Sequence, residues 1–166
     1  MSRFKRNRVP LPVESLAHFD RNTQRRRKTL FLDFDGVLHA SFHFPHEAFS
    51  LAPKLAETLA GSSVQIIISS SWRFDRALSE LRRLLPKVLA ERVVGTTGEP
   101  YEGEFARWNE ICETVRHHGI ISWRILDDSK IEFPSAQCPE LILCDGRIGL
   151  TKPQCAEIAR WLALPD

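Results

Sequence analysis

Four short, almost wholly apolar runs govern what this chain can fold into: TLFLDF (29–34), VQIIIS (64–69), RILD (124–127) and LILC (141–144). Apolar residues at successive rather than alternate positions mark strands buried on both faces, and such strands belong to parallel sheets covered by helices on each side. Residues 90–94 form a weaker fifth candidate. Between these runs the apolar spacing turns helical. Over 51–60, Leu51, Leu55 and Leu59 recur at four-residue steps before Gly61; over 74–85, Leu78, Leu81, Leu84 and Leu85 precede Pro86. Residues 104–118 carry Phe105, Trp108, Ile111, Cys112 and Val115 on one side, and 151–164 open with Thr151 as an N-cap and Pro153 in the first turn. Strand alternating with helix predicts an α/β, three-layer, Rossmann-like parallel sheet, whose ligand site lies at the carboxyl ends of the strands where strand order reverses.

The informative residues are therefore those just after each strand: Asp33-Phe34-Asp35-Gly36, Ser69-Ser70-Ser71, Asp127-Asp128 and Asp145-Gly146. Carboxylates converging on one sheet edge repel and raise each other's pKa, and a divalent cation among them resolves the conflict. With no His or Cys at these ends, the all-oxygen set suits Mg2+ rather than zinc. Asp33 and Asp35, two apart on an extended backbone, present both carboxylates to the same side, one to attack and one to move protons. Gly36 lets the chain turn away without a Cβ obstructing a phosphate.

Asp33-Phe34-Asp35-Gly36-Val37 directly after a buried strand resembles motif I, D-x-D-G-[TV], of the haloacid-dehalogenase (HAD) superfamily. The resemblance implies Asp33 as nucleophile and Asp35 as general acid/base. Ser69 matches the hydroxyl of motif II, which binds a phosphoryl oxygen. Asp127 and Asp128 match the acidic pair of motif IV, completing a Mg2+ site with Asp33 and the carbonyl of Asp35. Motif III usually supplies a lysine, but there is none between Lys87 and Lys130, so Arg107 is assigned to that role. A closer resemblance is to the HAD domain of Swiss Army Knife RNA-repair proteins. It rests on LFLDFDGVLH (30–39), IISSSWR (67–73), Arg-x-x-Glu-Ile (107–111), LDD followed by FP (126–134) and GLT (149–151).

What the resemblance implies is a magnesium-dependent phosphohydrolase working through an aspartyl-phosphate, connected with RNA repair. It is expected without a cap domain, because only 33 residues separate Asp35 from Ser69 and 37 separate Ser69 from Arg107. The alternative is a catalytically weak or silent module that binds nucleic acid or protein, and a phosphotransferase is a third reading.

Ser70, Trp72 and Arg73, near the mouth of the expected site, read as substrate contacts, with Trp72 stacking on a base and Arg73 holding a phosphate; the other reading of Trp72 is packing. Ser70 and Ser71 also suit a cap for the next helix. His39, His43 and His46 alternate with Phe42 and Phe44 in a short flap after motif I. They are assigned to substrate contact or surface packing, with a second metal site as the minor reading on spacing alone. His117 and His118 suit a helix end. Asp145 either lines the site or belongs to an Asp-Gly turn.

At 166 residues and 43% apolar, the chain suits one domain (28–166) preceded by a basic arm (1–27), with 13–19 a candidate short helix. Residues 1–28 carry nine Lys/Arg against Glu14 and Asp20, a net +7, while 14 bases and 19 acids leave the remainder at −5. Such an arm reads either as attraction to RNA or DNA ends, a phosphorylated substrate, or as a solvated extension. The four cysteines form no C-x-x-C pair and read as reduced thiols. No apolar run approaches a membrane span and MSRFKRNRVP has no apolar signal stretch, so the expectation is a cytoplasmic protein with no membrane partner.

Overall fold

Thr29–Leu32 (β1), Gln65–Ile68 (β2), Val93–Thr96 (β3), Trp123–Asp127 (β4) and Leu141–Leu143 (β5) form one all-parallel sheet in a computed structural model that describes residues 27–134 and 138–165. The strand order is β3-β2-β1-β4-β5. β1 thus lies at the switch point, paired with β2 on one side and β4 on the other, and Asp33 and Asp127 emerge on adjacent strands.

Alternation along each strand feeds two cores. Leu30, Leu32, Ile66, Ile68 and Leu126 face Leu55 of α1 (Ala52–Thr58), Leu81 of α2 (Leu78–Arg83), Leu89 of α3 (Lys87–Ala90) and Ile158 and Trp161 of the C-terminal helix. Phe31, Ile67 and Ile125 point the other way, onto Ile111 of α4 (Ala106–His118). The C-terminal helix is α5 (Lys152–Leu162). Helices on both faces explain why the strands read as continuous apolar runs: each residue of β1 and β2 is buried.

The structure departs from the sequence expectation chiefly between β2 and β3. The helix predicted over 74–85 is a 3-10 turn at Ser71–Phe74 followed by the shorter α2. The Arg73 side chain is drawn inward and pins the turn, and Ala77 adopts an extended conformation as the N-cap of α2, its N–H donating to Glu80. Pro86 ends one helix and precedes another, so α3 occupies the start of the expected 90–94 strand and β3 runs later.

Between Asp35 and Ser69 the chain holds only the Pro45–Glu47 3-10 turn, α1 and the flap loops; between Ser69 and Arg107 it holds the Ser71–Phe74 turn, α2, α3 and β3. Neither segment contains a cap domain. The basic arm, with its expected helix over 13–19, lies outside the described residues. The four cysteines are free thiols. Among the described residues no helix is long and apolar enough to cross a membrane.

Candidate active site

Asp33 leaves β1 with its N–H still bonded to the Leu126 carbonyl (3.0 Å), which fixes its backbone against β4. Its side chain is buried and held at both oxygens: Oδ1 accepts from the Phe34 N–H (2.8 Å) and Oδ2 pairs with Arg107 Nη1 (2.6 Å). The same guanidinium nitrogen reaches Asp127 Oδ2 at 2.8 Å. One cation from the first turn of α4 thus bridges the ends of two adjacent strands. Burial alone would lower the pKa of Arg107, but the carboxylates of Asp33 and Asp127 outweigh it and the net shift is upward.

Asp127 is wholly buried, and desolvation, reinforced by the charge of Asp33, pushes it up to about 7 even though Arg107 and the Ser129 N–H pull the other way. Burial raises Asp128 too, against a hydrogen bond from Ser41 Oγ (3.0 Å). One oxygen from each of Asp33, Asp127 and Asp128 lies within 4.8 Å of the others. One guanidinium cannot neutralise three carboxylates, and an all-oxygen set with a carboxyl forced partly protonated fits a hard divalent cation such as Mg2+.

Gly36 adopts φ +68°, in keeping with the turn expected there, and a Cβ would sit 2.0 Å from Asp128 Oδ2, so the residue also makes room for a carboxylate. Gly146, after β5, crowds the same oxygen: its Cβ would lie 2.2 Å away. Ser41 ties these pieces together, its N–H and hydroxyl reaching the Gly146 carbonyl (2.7 and 3.0 Å) while the hydroxyl also meets Asp128. The flap after motif I is closed at its base by Leu51 N–H to the Leu38 carbonyl (2.9 Å).

Ser69 follows β2, its N–H bonded to the Leu32 carbonyl (2.9 Å). The Ser69 and Ser70 hydroxyls are buried and have no hydrogen-bond partner among the described residues. A buried orphan hydroxyl costs about 1–3 kcal/mol unless a ligand or water satisfies it, and a phosphoryl oxygen would satisfy Ser69. Ser70 occupies the N-cap of the 3-10 turn but makes no side-chain cap bond, contrary to that part of the expectation.

Arg73 is buried, with Nη1 donating to the carbonyls of Ser69 (2.7 Å) and Ser70 (3.0 Å) and Nη2 paired with Glu110 Oε2 (2.5 Å). Its expected phosphate contact gives way to a supporting role beneath the strand-end loop, because its donors are already committed. Trp72 is likewise committed: Nε1 donates to Asp35 Oδ2 (2.7 Å), its ring packs edge-on against Phe34 and Phe49, and Arg76 covers it at 4.3 Å. These contacts match the packing reading rather than base stacking. His39 is buried against Asp35 rather than displayed on the flap, whereas His46 is exposed. Asp145 is a turn residue: its carboxylate accepts from the backbone and guanidinium of Arg147, which lowers it to about 2. Reasoning from sequence missed Ser41 and assigned no role to Glu110, although Glu110 stands in the quoted Arg-x-x-Glu-Ile segment.

Arg107→Ala is expected to lower turnover by about 10²–10³-fold, as for loss of a preorganised charge at a reacting centre, whereas Arg116→Ala on the exposed far turn of α4 changes it little. Arg107→Lys is expected to retain most activity. Equal losses in the two alanine variants, read as kcat/KM, would show that another cation serves the site.

No curated protein and no solved structure matches the chain. A family model does, described as the HAD domain in Swiss Army Knife RNA repair proteins, over residues 29–155. That span contains β1 to β5 and every carboxylate, hydroxyl and guanidinium brought together at the switch point, and the chain belongs to this family of HAD domains.

Proposed function

We propose that the protein is a Mg2+-dependent phosphomonoester hydrolase that forms an aspartyl-phosphate on Asp33. Membership of the family implies hydrolase chemistry. The observation that carries the finer reading is the paired setting of two aspartates two residues apart. Asp33 is held and oriented by a guanidinium; Asp35 meets an imidazole and an indole nitrogen instead and remains partly open to solvent.

In the first step an Asp33 oxygen forms a bond to phosphorus as the bond to the leaving oxygen breaks, and Asp35 delivers a proton to that oxygen. In the second, Asp35 takes a proton from the water that attacks the acyl-phosphate, which returns Asp33 and releases inorganic phosphate. The Ser69 hydroxyl donates to a phosphoryl oxygen and Arg107 offsets its charge. Mg2+ held by Asp33, Asp127, Asp128 and the Asp35 carbonyl would supply further neutralisation of the transferring group. The uncapped cleft and the basic arm, +6 over residues 1–27, favour a phosphorylated RNA or DNA end as substrate.

The test is hydrolysis of an aryl phosphate and a phosphorylated oligonucleotide with and without Mg2+. Turnover that requires Mg2+ and stops with chelator is expected; no hydrolysis of either substrate would favour the silent binding module. Deleting residues 1–27 is expected to raise KM for the oligonucleotide alone. Mg2+ is also expected to raise the melting temperature by roughly 5–10 °C near saturation. The gain should grow with pH. Asp127 has a folded-state pKa above its unfolded one, so without metal the folded form holds the extra proton and loses stability as pH rises from about 4 to about 7. A bound cation replaces that proton.

A further inference from the structure

The carboxylate of Asp35 is gripped at both oxygens by the side chains of His39 and Trp72. Oδ1 lies 3.0 Å from His39 Nε2 and Oδ2 accepts from Trp72 Nε1 at 2.7 Å. His39 is 1% exposed, although it follows a flap-facing turn, and its ring is enclosed by His43 (centroids 4.0 Å apart), Phe49 (5.1 Å) and Trp72 (6.1 Å).

The protonation of His39 follows from its other nitrogen. Nδ1 lies 3.1 Å from the backbone N of Phe49, and a backbone N–H can only donate. Nδ1 therefore carries a lone pair, the proton sits on Nε2, and that proton points at Asp35. A second proton on Nδ1 would set two N–H groups against each other. Phe49 holds this position in the left-handed region (φ +59°), uncommon for a residue with a bulky side chain, and its ring closes the pocket against Phe34, His39 and Trp72. Strain of this kind persists where the surroundings over-determine it.

The same geometry disposes of a metal at this spot. Ligand atoms of Asp35, His39 and His43 fall within 4.8 Å of one another. A metal on His39 Nε2 needs a lone pair there, which would put the proton on Nδ1, facing the Phe49 N–H. The cluster is built to donate to Asp35, not to coordinate.

We propose that His39 and Trp72 are positioning residues that orient the Asp35 carboxylate toward the leaving oxygen, with the Phe49 N–H fixing the donor tautomer of His39. The inference rests on the reading of Asp35 as general acid/base. Both clamps are neutral, so they set the plane of the carboxylate without the ion pair that holds Asp33. With one oxygen fixed by an imidazole N–H and the other by an indole N–H, the carboxylate keeps its rotamer, and its remaining lone pairs stay directed at the cleft.

The experiment compares His39→Leu, His39→Gln and Trp72→Phe on an alkyl phosphate, which needs a proton on its leaving oxygen, and on 4-nitrophenyl phosphate, which scarcely does. In His39→Leu and Trp72→Phe the loss in kcat for the alkyl phosphate is expected to exceed that for the nitrophenyl ester by about tenfold or more, with KM little changed. His39→Gln restores an N–H donor and is expected to recover part of the alkyl activity. Independently of turnover, long-range proton–nitrogen NMR of the wild-type chain at near-neutral pH is expected to show His39 neutral and protonated at Nε2. Equal losses on both substrates, no loss on either, or a His39 protonated at Nδ1 would overturn the inference and leave the hydrolase reading standing. A wild type that hydrolyses neither ester with Mg2+ would overturn that reading, and this inference with it.

Discussion

Asp33→Asn is expected to abolish turnover of every phosphomonoester, by on the order of 10⁴-fold or more, whereas the effect of Asp35→Asn should depend on the leaving group. An amide at position 33 keeps the shape of the side chain and its bond from the Phe34 N–H, but it is no nucleophile, and Arg107 retains Asp127 as a partner, so the fold should survive. An amide at 35 leaves the nucleophile in place and removes the proton donor. An aryl phosphate should still phosphorylate Asp33, while the second step, which needs Asp35 to take a proton from water, stalls. Phosphoenzyme is therefore expected to accumulate in Asp35→Asn and to be absent in Asp33→Asn, read by intact-protein mass and by release with hydroxylamine. Phosphoenzyme in the Asp33→Asn protein would move the nucleophile elsewhere.

The difference between these two aspartates shows how far local pattern carries. Their place after a buried strand, the hydroxyl after the second strand and the acidic pair after the fourth are readable because a doubly covered parallel strand leaves an apolar run, and its end is marked where that run stops. The sheet and the helices α1, α4 and α5 follow from the same periodicity, whereas the 3-10 turn at Ser71–Phe74, the shortened α2 and α3 between β2 and β3 do not. What resists reading is contact between residues far apart in the chain. Ser41 meets Asp128 across 87 residues, and Trp72 meets Asp35 across 37. Arg73 next to an expected phosphate site reads as a phosphate ligand, because a planar guanidinium suits that role. That it turns inward depends on Glu110 reaching the same place from α4, which no pattern within either segment states. His39 is similar: three histidines among phenylalanines suggest a displayed flap, and only the folded loop brings the Phe49 N–H and Asp35 to the two sides of one ring.

The Arg73–Glu110 pair also carries the second large effect. Glu110 is 6% exposed; its Oε2 pairs with Arg73 and its Oε1 accepts from the Tyr101 N–H (3.0 Å). Arg73 in turn holds the Ser69 and Ser70 carbonyls, so the pair joins α4 to the loop that presents Ser69 and Trp72. Burial already lowers the pKa of Arg73, against the opposing pull of Glu110, so the guanidinium depends on this carboxylate. Removing one partner of a buried ion pair typically costs about 3–5 kcal/mol, because the other charge is left in a dry site. Glu110→Ala is therefore expected to lower the melting temperature by roughly 6–20 °C in a domain of this size. Replacing both residues with apolar ones, as in Arg73→Met with Glu110→Leu, is expected to cost less than the sum of the single changes, since neither charge is then stranded. The catalytic consequence should follow separately: at a temperature where Glu110→Ala remains folded, a loosened Ser69 loop should lower kcat/KM for an aryl phosphate. A melting temperature for Glu110→Ala within a degree or two of the wild type, or strictly additive single and double variants, would show that water reaches the pair and that α4 is anchored to the loop by its apolar face alone.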